Sequence, residues 1–410
     1  MEMFNPFARP VYVMAKPAGS MCNLACEYCY YLEKSRFYSD PRKQIMTDAM
    51  LERFISQYIE AQTLGAVQFT WHGGEALMRP LEFYRKAMEL QRRYAGGKQI
   101  ENCLQTNGLL LTDEWCRFLR DNNWLVGISI DGPQEFHDEY RRNRAGQPSF
   151  HRVMKAIRML QAHGVEWNAL AVVNDYNADH PVEFYRFFKE IGCRYIQFTP
   201  IVERLSGDNL ASVAEQGELA PFSVSPQQWG NFLCGVFDEW ILEDVGQYYV
   251  QIFDSTLANW AGVEPGVCTM GRRCGHAAVL EHNGDLYSCD HFVFPQYKLG
   301  NIADRTIIEM MMSERQQQFG EAKRASLPRQ CRECRFSFAC NGECPKNRFA
   351  VTADGEPGLN YLCEGYRRYF AHVAPFMDFM KAELDAHRAP ANVMDSPLVR
   401  DLRLRRRSVR

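Results

Sequence analysis

The chain carries Cys22-Asn-Leu-Ala-Cys26-Glu-Tyr-Cys29 directly after its first predicted strand. In parallel barrels the loops at the carboxyl ends of the strands hold the reactive groups, so this position suits a cofactor. Three thiolates on one short loop can bind three irons of a four-iron cluster and leave the fourth iron open. A closed zinc site would need a fourth protein ligand. The spacing therefore favours an open iron–sulfur cluster over a zinc site or three buried cysteines.

Short apolar runs alternate with amphipathic stretches from Val11 to about Pro200. This pattern is typical of repeated strand–helix units around a parallel sheet. Ser149 is expected to cap one of the helices, and Gly164 to end it. The fold class that follows is α/β, with an open, partial (β/α)6 barrel. Its six predicted strands are Val11–Lys16, Ala66–Trp71, Ile100–Thr106, Leu125–Ile130, Asn168–Val173 and Tyr195–Pro200.

The alternation stops after the sixth predicted strand. A polar insertion, Glu203–Ala220, precedes an amphipathic helix that is rich in aromatic residues, and this helix is expected to bridge two domains. From Cys268 onward the loops are short, and a hairpin is predicted around Asn283-Gly284, with strands at 277–281 and 285–288. Such a small cysteine-rich domain has little core of its own, so we expect metals to stabilise it.

The expected domain organisation has four parts. A partial barrel is followed by a helical bridge, a domain with two iron–sulfur clusters, and a C-terminal helix with a basic tail. The arginine-rich end of the chain is expected to be a solvated tail. The boundaries predicted from the sequence are 1–205, 206–262, 263–375 and 376–410.

Composition points to a cytoplasmic protein that binds neither nucleic acid nor a membrane. The 410 residues carry a net charge of −3, whereas phosphate recognition needs a clustered basic surface. The segment Met1–Lys16 lacks a signal-peptide pattern, and no apolar run reaches the roughly 18 residues of a membrane span. Fifteen cysteines in a reducing compartment indicate metal binding rather than disulfides. Four are assigned to packing: Cys103, Cys116, Cys193 and Cys234.

A second, larger group of cysteines lies in the last third of the chain. Eight thiols are the number that two four-iron clusters need when the protein supplies every ligand. The C-x2-C spacing within the group also suits a zinc ribbon, which remains an alternative. The eight are Cys268, Cys274, Cys289, Cys331, Cys334, Cys340, Cys344 and Cys363.

The stretch from Cys22 to Tyr31 resembles the signature of the radical S-adenosylmethionine (SAM) superfamily. The resemblance implies that SAM binds the open iron and is cleaved to a 5'-deoxyadenosyl radical, which takes a hydrogen atom from an unactivated carbon. It also implies that Tyr28 packs near the adenine and that Tyr31 faces the substrate. The cofactor supplies the difficult chemistry, while the protein positions it and excludes side reactions.

Motifs after later predicted strands are similar to the SAM-contacting positions of that superfamily. Two glycines after Trp71 would let the backbone approach a ligand closely. A serine and an arginine suit a ribose hydroxyl and a carboxylate. Close relatives usually carry Gln and Pro where this chain has His72 and Ala76. The expected cofactor contacts are Tyr28, His72, Gly73, Gly74, Glu75, Gln105, Asn107, Ser129 and Arg141.

The eight later cysteines resemble those of the twin-cluster SPASM domain. The resemblance implies a crossed pairing, which spacing alone does not distinguish from pairing of nearest neighbours. With the first loop, the protein would hold three 4Fe–4S clusters, and the two fully ligated ones would serve electron transfer. One of these would be bound by Cys268, Cys274, Cys289 and Cys344, and the other by Cys331, Cys334, Cys340 and Cys363.

Motifs along nearly the whole chain resemble the anaerobic sulfatase-maturating enzymes. That resemblance implies oxidation of a cysteine or serine side chain in an unfolded or nascent sulfatase to Cα-formylglycine, with a flavodoxin- or ferredoxin-type reductant. It also implies that Asp290 is the general base, although an isolated Cys-Asp pair would more often belong to a turn. The motifs are Met14-Ala-Lys16-Pro17, Gly127-Ile-Ser129-Ile-Asp131-Gly132-Pro133 and Tyr287-Ser-Cys289-Asp290.

Two other functions remain compatible with these motifs. A SPASM-type maturase could form a different modification, such as a thioether cross-link, with the same set of clusters. Such enzymes often carry an N-terminal leader-binding domain, whereas about ten residues precede the first predicted strand here. A non-catalytic zinc or electron-transfer protein is the alternative from another class, and it would make the motifs at the strand ends coincidental.

Overall fold

The computed structural model describes residues 11–38, 44–206, 209–210 and 217–408. Its first half contains six strands that pair in chain order, all parallel. All six predicted strands are present, and none of their ends differs from the prediction by more than one residue. The strands are β1 Tyr12–Lys16, β2 Ala66–Trp71, β3 Gln99–Thr106, β4 Leu125–Ser129, β5 Trp167–Val173 and β6 Tyr195–Pro200.

Helices between these strands pack their apolar faces on the sheet. In the first of them, Phe54, Ile55 and Tyr58 are buried, as the helical spacing of the apolar residues predicts. The Thr47 hydroxyl caps this helix by accepting from the amide of Met50. The helices are α1 Asp48–Glu60, α2 Leu81–Tyr94, α3 Asp113–Asp121, α4 Gln134–Tyr140, α5 Phe150–His163 and α6 Pro181–Glu190.

The ends of α5 correct one prediction and confirm another. Gly164 ends the helix with φ +68°, in the left-handed region that favours glycine. Ser149 stands at the N-cap position but does not cap the helix with its side chain. Its hydroxyl instead donates to the carbonyl of Arg141 at 2.8 Å and lies 2.9 Å from His137 Nε2. The serine therefore fixes the α4–α5 connection.

The second half of the chain begins in the polar insertion, where β7 Arg204–Ser206, β8 Asn209–Leu210 and β9 Glu218–Leu219 form a small antiparallel sheet. The predicted bridging helix follows as α7. The remaining strands are β10 Tyr249–Val250, β11 Ala277–Glu281, β12 Asp285–Tyr287, β13 Lys298–Asn301, β14 Ala350–Val351 and β15 Pro357–Leu359. The helices are α7 Pro226–Glu243, α8 Gln251–Trp260, α9 Ile307–Met311, α10 Glu314–Ala325, α11 Arg329–Arg332, α12 Ser337–Cys340, α13 Cys363–Asp385 and α14 Pro397–Ser408.

Short 3-10 helices occur between these elements, at Leu32–Phe37, Ala76–Met78, Asp290–Phe292, Pro295–Tyr297, Pro345–Asn347 and Pro390–Asp395.

The hairpin of β11 and β12 forms as predicted, but it also extends the barrel sheet. Strand β11 lies parallel to β1 on the side away from β2, with Lys16 opposite Glu281. The sheet therefore has ten strands in the order β10-β6-β5-β4-β3-β2-β1-β11-β12-β13. Strand β12 runs back antiparallel along β11, so the hairpin carries the segment after Tyr287 back beside β1.

Three of the four cysteines assigned to packing are buried: Cys116, Cys193 and Cys234. Cys103 is the exception. It lies partly exposed on β3 and accepts a hydrogen bond from Gln68 Nε2 at 3.2 Å.

The C-terminal segment, expected to be a solvated tail, forms a helix that is exposed at most positions but anchored at a few. Residues 397–408 form α14, in which Val399 is fully buried. Arg403 donates to the carbonyl of Leu242 at 2.8 Å, and Arg406 pairs with Glu239. The apolar and hydrogen-bonding contacts therefore hold the basic segment against α7. None of the helices in the described ranges is long and apolar enough to cross a membrane.

Helices α7 and α13 cross in close contact through two glycines. A Cβ atom added to Gly230 would lie 2.8 Å from the Cα of Gly365 and 2.9 Å from its carbonyl oxygen. Because both obstacles are backbone atoms of a packed helix, the helices would have to move apart.

We therefore expect Gly230→Ala to lower the free energy of unfolding by about 1–3 kcal/mol, measured by denaturant titration of the purified protein. Gly65→Ala is the matched control, since a Cβ there meets no atom within 4 Å. It should change stability by less than about 0.5 kcal/mol. Equal effects of the two substitutions would show that the helix crossing is not the cause.

Candidate functional site

The loop with the first three cysteines follows β1 and is fixed by backbone hydrogen bonds. The amide of Gly74 donates to Gly19 O at 2.8 Å, and that of Glu75 donates to Met21 O at 2.8 Å. A Cβ on Gly74 would stand 2.3 Å from Met21 O, so only glycine fits there. On the other side, the amide of Ala25 donates to Arg142 O at 2.8 Å. The loop is thus held between the ends of β2 and α4.

The three thiols of this loop lie near one another. Burial is the main cause that raises the pKa of Cys22 to about 12, and the charges of Cys29 and Cys26 act in the same direction. Burial likewise raises the pKa of Cys26 to about 12, with a contribution from Cys29. Binding to iron requires thiolates, so a positively charged metal group would have to offset this burial.

The Glu75 carboxylate is fully engaged with the chain. It accepts hydrogen bonds from Thr106 Oγ1 at 2.7 Å, from the amide of Asn107 at 2.8 Å and from the amide of Leu77 at 2.9 Å. Asn107 in turn donates to Asn23 Oδ1 at 2.7 Å, and its Nδ2 lies 3.8 Å from Cys22 Sγ. Glu75 therefore ties the ends of β2 and β3 to the cysteine loop.

A second buried cluster lies on the other side of the loop, around Asp131. Tyr28 donates its hydroxyl proton to Asp131 Oδ2, and Arg141 Nε is 2.8 Å from the same oxygen. The amide of Val172 donates to Oδ1 at 2.9 Å. Tyr28 and Arg141 are thus held together by the Asp131 carboxylate.

Two further predicted contacts lie at the ends of β3 and β4. Gln105 Nε2 donates to Ser129 Oγ at 3.1 Å. The Gln105 side chain also passes close over Gly127, where a Cβ would be 2.1 Å from its Oε1. The predicted cofactor contacts thus occupy the carboxyl ends of the barrel strands, and their roles toward SAM stay predictions.

The later cysteines separate into two groups by their electrostatic neighbours. Burial first, and then the charges of Cys268 and Cys344, raise the pKa of Cys289 well above its usual value. Burial also raises the pKa of Cys274, to about 11, with Cys268 as a further cause. Burial, and then the charges of Glu343, Cys268 and Cys274, likewise raise the pKa of the Cys344 thiol. These four thiols form one group.

The other four thiols form a second group. Burial raises the pKa of Cys340 to about 12, with the charges of Cys363 and Cys331 as further causes. Burial raises the pKa of Cys363 to about 11, with contributions from Cys331 and Cys334. The two groups contain the same cysteines as the two sets of the crossed pairing. That pairing stays a prediction. Within the described ranges, no three His, Cys, Asp or Glu side chains are placed to bind one metal ion.

The β1–β11 pairing brings Asp290 to the first cysteine loop. Lys16 Nζ lies 2.6 Å from Asp290 Oδ1, and the Tyr30 hydroxyl donates to Oδ2. The Lys16 side chain is 0% exposed, and its Nζ is 4.0 Å from the centre of the Tyr31 ring. Tyr31 itself donates to Glu281, a buried residue of β11. Asp290 is therefore part of a buried polar network.

Charge within this network keeps Asp290 ionised and His72 neutral. Burial alone would raise the pKa of the Asp290 carboxyl, but the positive charge of Lys16 outweighs it, so the pKa lies below its usual value. For His72, burial and then the charge of Lys16 lower the pKa to about 4. Its Nδ1 accepts from the amide of Gly73 at 2.7 Å and lies 3.4 Å from Lys16 Nζ.

Lys16 and Tyr30 are site residues that the sequence analysis did not identify as such. Lys16 was noted only as part of a motif, and Tyr30 only as a neighbour of Cys29. One signal was present in the sequence. A lysine that ends an apolar strand directly before the cysteine loop must be paired if it is buried, because an unpaired buried charge is costly.

Family models match both halves of the chain. The radical SAM superfamily matches residues 17–188, and an iron–sulfur cluster-binding domain, SPASM, matches residues 268–335. A serine-type anaerobic sulfatase-maturating enzyme of Bacteroides thetaiotaomicron is 68% identical over 95% of this chain and 96% of its own length. A cysteine-type enzyme of Clostridium perfringens is 32% identical over 89% of this chain and 97% of its own.

A solved structure supports the same relationship. It is described as native anSMEcpe with bound AdoMet and Cp18Cys peptide. It aligns with a TM-score of 0.82 and 30% identity over 92% of this chain and 100% of that one. With its barrel, its cysteine loop and these relatives, the chain belongs to the anaerobic sulfatase-maturating enzymes of the radical SAM superfamily.

Proposed function

We propose that this protein oxidises a serine side chain in an unfolded or nascent sulfatase to Cα-formylglycine. The observation that carries this proposal is the partly buried Asp290, which directly follows Cys289 and is held by Lys16 and by Tyr30 of the first cysteine loop. The preference for serine over cysteine rests on the 68% identity to a serine-type enzyme, against 32% to a cysteine-type one.

The residues of the first loop fit an open four-iron cluster and SAM. Cys22, Cys26 and Cys29 would bind three irons, and three cysteines on one short loop with no fourth one suit that role. When bound, the cluster and SAM would supply the radical that removes a hydrogen atom from the substrate β-carbon. The AdoMet bound in the related anSMEcpe structure supports this assignment.

The chain would hold SAM with the groups already described around the loop. The backbone at Gly73 and Gly74 lies beside the loop that carries the cysteines, Arg141 would bind a carboxylate with the donors that its pairing with Asp131 leaves free, and Ser129 would bind a hydroxyl. Tyr31 would contact the substrate. Of these groups, Arg141 is already paired with Asp131, so it is held in place before any ligand arrives.

Oxidation of an alcohol to an aldehyde removes a hydrogen atom from carbon, a proton from oxygen and one further electron. Asp290 would accept the proton, because a carboxylate can take it only within hydrogen-bond reach of the substrate hydroxyl. The remaining electron needs an acceptor close to the site. The Cys268 group would hold one auxiliary cluster next to Asp290, and the Cys331 group a second.

The proposed function also includes a division of the chain into domains and a second protein that donates electrons. The barrel would extend to about residue 205, the helical bridge over 206–262, the cluster domain over 263–375 and the C-terminal helices beyond. A flavodoxin- or ferredoxin-type protein would supply the electron that SAM cleavage consumes.

Iron content tests the cofactor assignment. Anaerobically purified protein should contain about twelve irons per chain, because eleven cysteines can hold three four-iron clusters. Replacing Cys22, Cys26 and Cys29 together by alanine should leave about eight irons and abolish SAM cleavage. Stoichiometric zinc without a brown chromophore would contradict the assignment. Replacing Cys116, Cys193 and Cys234 instead should leave the iron content unchanged.

The substrate is tested with sulfatase-derived peptides that differ only at the target residue. After anaerobic incubation with SAM and reductant, mass spectrometry should show loss of the mass of H2 from the serine peptide. The alanine peptide should remain unchanged, since it has no hydroxyl to oxidise. Failure to convert the serine peptide while a cysteine peptide reacts would assign the enzyme to cysteine-type substrates.

The base is tested by Asp290→Asn, which is nearly isosteric. We expect iron content and deoxyadenosine formation to persist while formylglycine production falls roughly 100-fold or more, as for loss of a positioned base. Asp244→Asn is the matched control. Asp244, at the end of α7, also pairs with a lysine and a tyrosine, but these are Lys189 and Tyr185 of α6. Normal formylglycine production by Asp290→Asn would mean that another group takes the proton.

A further inference from the structure

We propose that Lys16 and Tyr30 are positioning residues that fix the orientation of the Asp290 carboxylate toward the substrate hydroxyl. The proposal rests on the function proposed for Asp290 and adds to it. Each residue holds a different oxygen, Lys16 at Oδ1 and Tyr30 at Oδ2. Both come from elements other than the one that carries Asp290, namely the end of β1 and the first cysteine loop.

The two holding groups are themselves fixed. Lys16 Nζ is confined between Asp290, His72 Nδ1 at 3.4 Å and the face of the Tyr31 ring at 4.0 Å. The Tyr30 ring packs edge-on against His291, with ring centres 5.3 Å apart. A carboxylate rotates freely about its bond to Cβ unless both oxygens are bound. Here both are bound by side chains that have little freedom to follow such a rotation.

Binding by Lys16 and Tyr30 leaves Asp290 able to accept one more hydrogen bond. Two carboxylate oxygens offer about four lone-pair positions; the hydrogen bond from Tyr30 uses one on Oδ2, and the Lys16 ammonium lies against Oδ1 as an ion pair. The free positions are fixed in direction, so a substrate hydroxyl can approach only from a limited range of angles. Small displacements of a reacting group lower the reaction rate by large factors. A fixed orientation of the Asp290 carboxylate would therefore favour proton transfer.

The hydrogen bond between Tyr30 and Asp290 also links two parts of the chain that carry cysteines. Tyr30 directly follows Cys29, and Asp290 directly follows Cys289. Their hydrogen bond therefore connects the first cysteine loop with the Cys268 group through a single non-covalent contact. The distance from the proton acceptor to the loop that would hold SAM is fixed by this contact and not only by the packing of the sheet.

The fold contains a matched control with the same chemistry elsewhere. On α6, Tyr185 donates to Asp244 Oδ2 at 2.9 Å, and Lys189 Nζ lies 2.7 Å from Asp244 Oδ1. This triad joins α6 to the end of α7 and does not contact the cysteine loop. Tyr185→Phe and Lys189→Met therefore remove the same groups as Tyr30→Phe and Lys16→Met, with only structural consequences.

The experiment compares these four variants in the anaerobic holoenzyme. Two quantities are measured: formylglycine formed per deoxyadenosine, and equilibrium binding of labelled serine and alanine peptides by fluorescence anisotropy. The wild-type protein should bind the serine peptide about tenfold tighter, as expected for a hydrogen bond to a charged group. In Tyr30→Phe and Lys16→Met this preference should fall below about threefold, and formylglycine per deoxyadenosine should fall roughly 10- to 100-fold.

Tyr185→Phe and Lys189→Met should retain both the peptide preference and the product ratio. Iron content and circular dichroism verify folding, and Tyr30→Phe keeps its ring, so it provides the decisive variant if Lys16→Met does not fold. The proposal is overturned if Tyr30→Phe matches Tyr185→Phe in both measurements while Asp290→Asn still loses product. Normal product formation by Asp290→Asn would instead contradict the function proposed for Asp290.

Discussion

The parallel pairing of β11 with β1 brings together the two parts of the chain that the site requires. Strand β1 leads directly into the first cysteine loop, and the hairpin that starts with β11 leads to Cys289 and Asp290. Only this pairing places Lys16 at the level of Glu281 and within an ion-pair distance of Asp290. A shift of one residue would turn every side chain of β11 to the opposite face of the sheet. The register therefore fixes the composition of the site.

The buried ion pairs of the site are better explained by function than by stability. Arg141 and Asp131 are both nearly inaccessible to water, and so is Lys16, whose partner Asp290 is 21% exposed. The desolvation of such pairs can cost more than their attraction returns, and apolar replacements often stabilise proteins. Removing one member leaves an unpaired charge, which is strongly unfavourable. A pair of this kind thus resists rearrangement, and that property suits groups that must keep fixed directions near a reactive cofactor.

Local patterns in the sequence predicted the barrel strands, the α5 C-terminus and the β11–β12 hairpin, because each depends on nearby residues. Asp290 could be predicted because it is adjacent to Cys289. Lys16 and Tyr30 could not be assigned to it, since their contacts depend on a strand pairing across more than 260 residues. Ser149 was also misassigned. A serine before a helix usually caps it from an extended backbone, but here Ser149 has a helical backbone conformation, with φ −118° and ψ −12°, and its hydroxyl donates to the Arg141 carbonyl instead.

The interleaved order of the later cysteines has a consequence for biosynthesis. In the predicted crossed pairing, Cys344 joins Cys268, Cys274 and Cys289, although in the chain it stands between Cys340 and Cys363 of the other set. Neither set is complete until the ribosome has made most of the chain, and contacts between distant residues form slowly. With this pairing, iron delivery to the two later sets would have to wait for a nearly finished polypeptide, and a prematurely terminated chain would leave their thiols without iron.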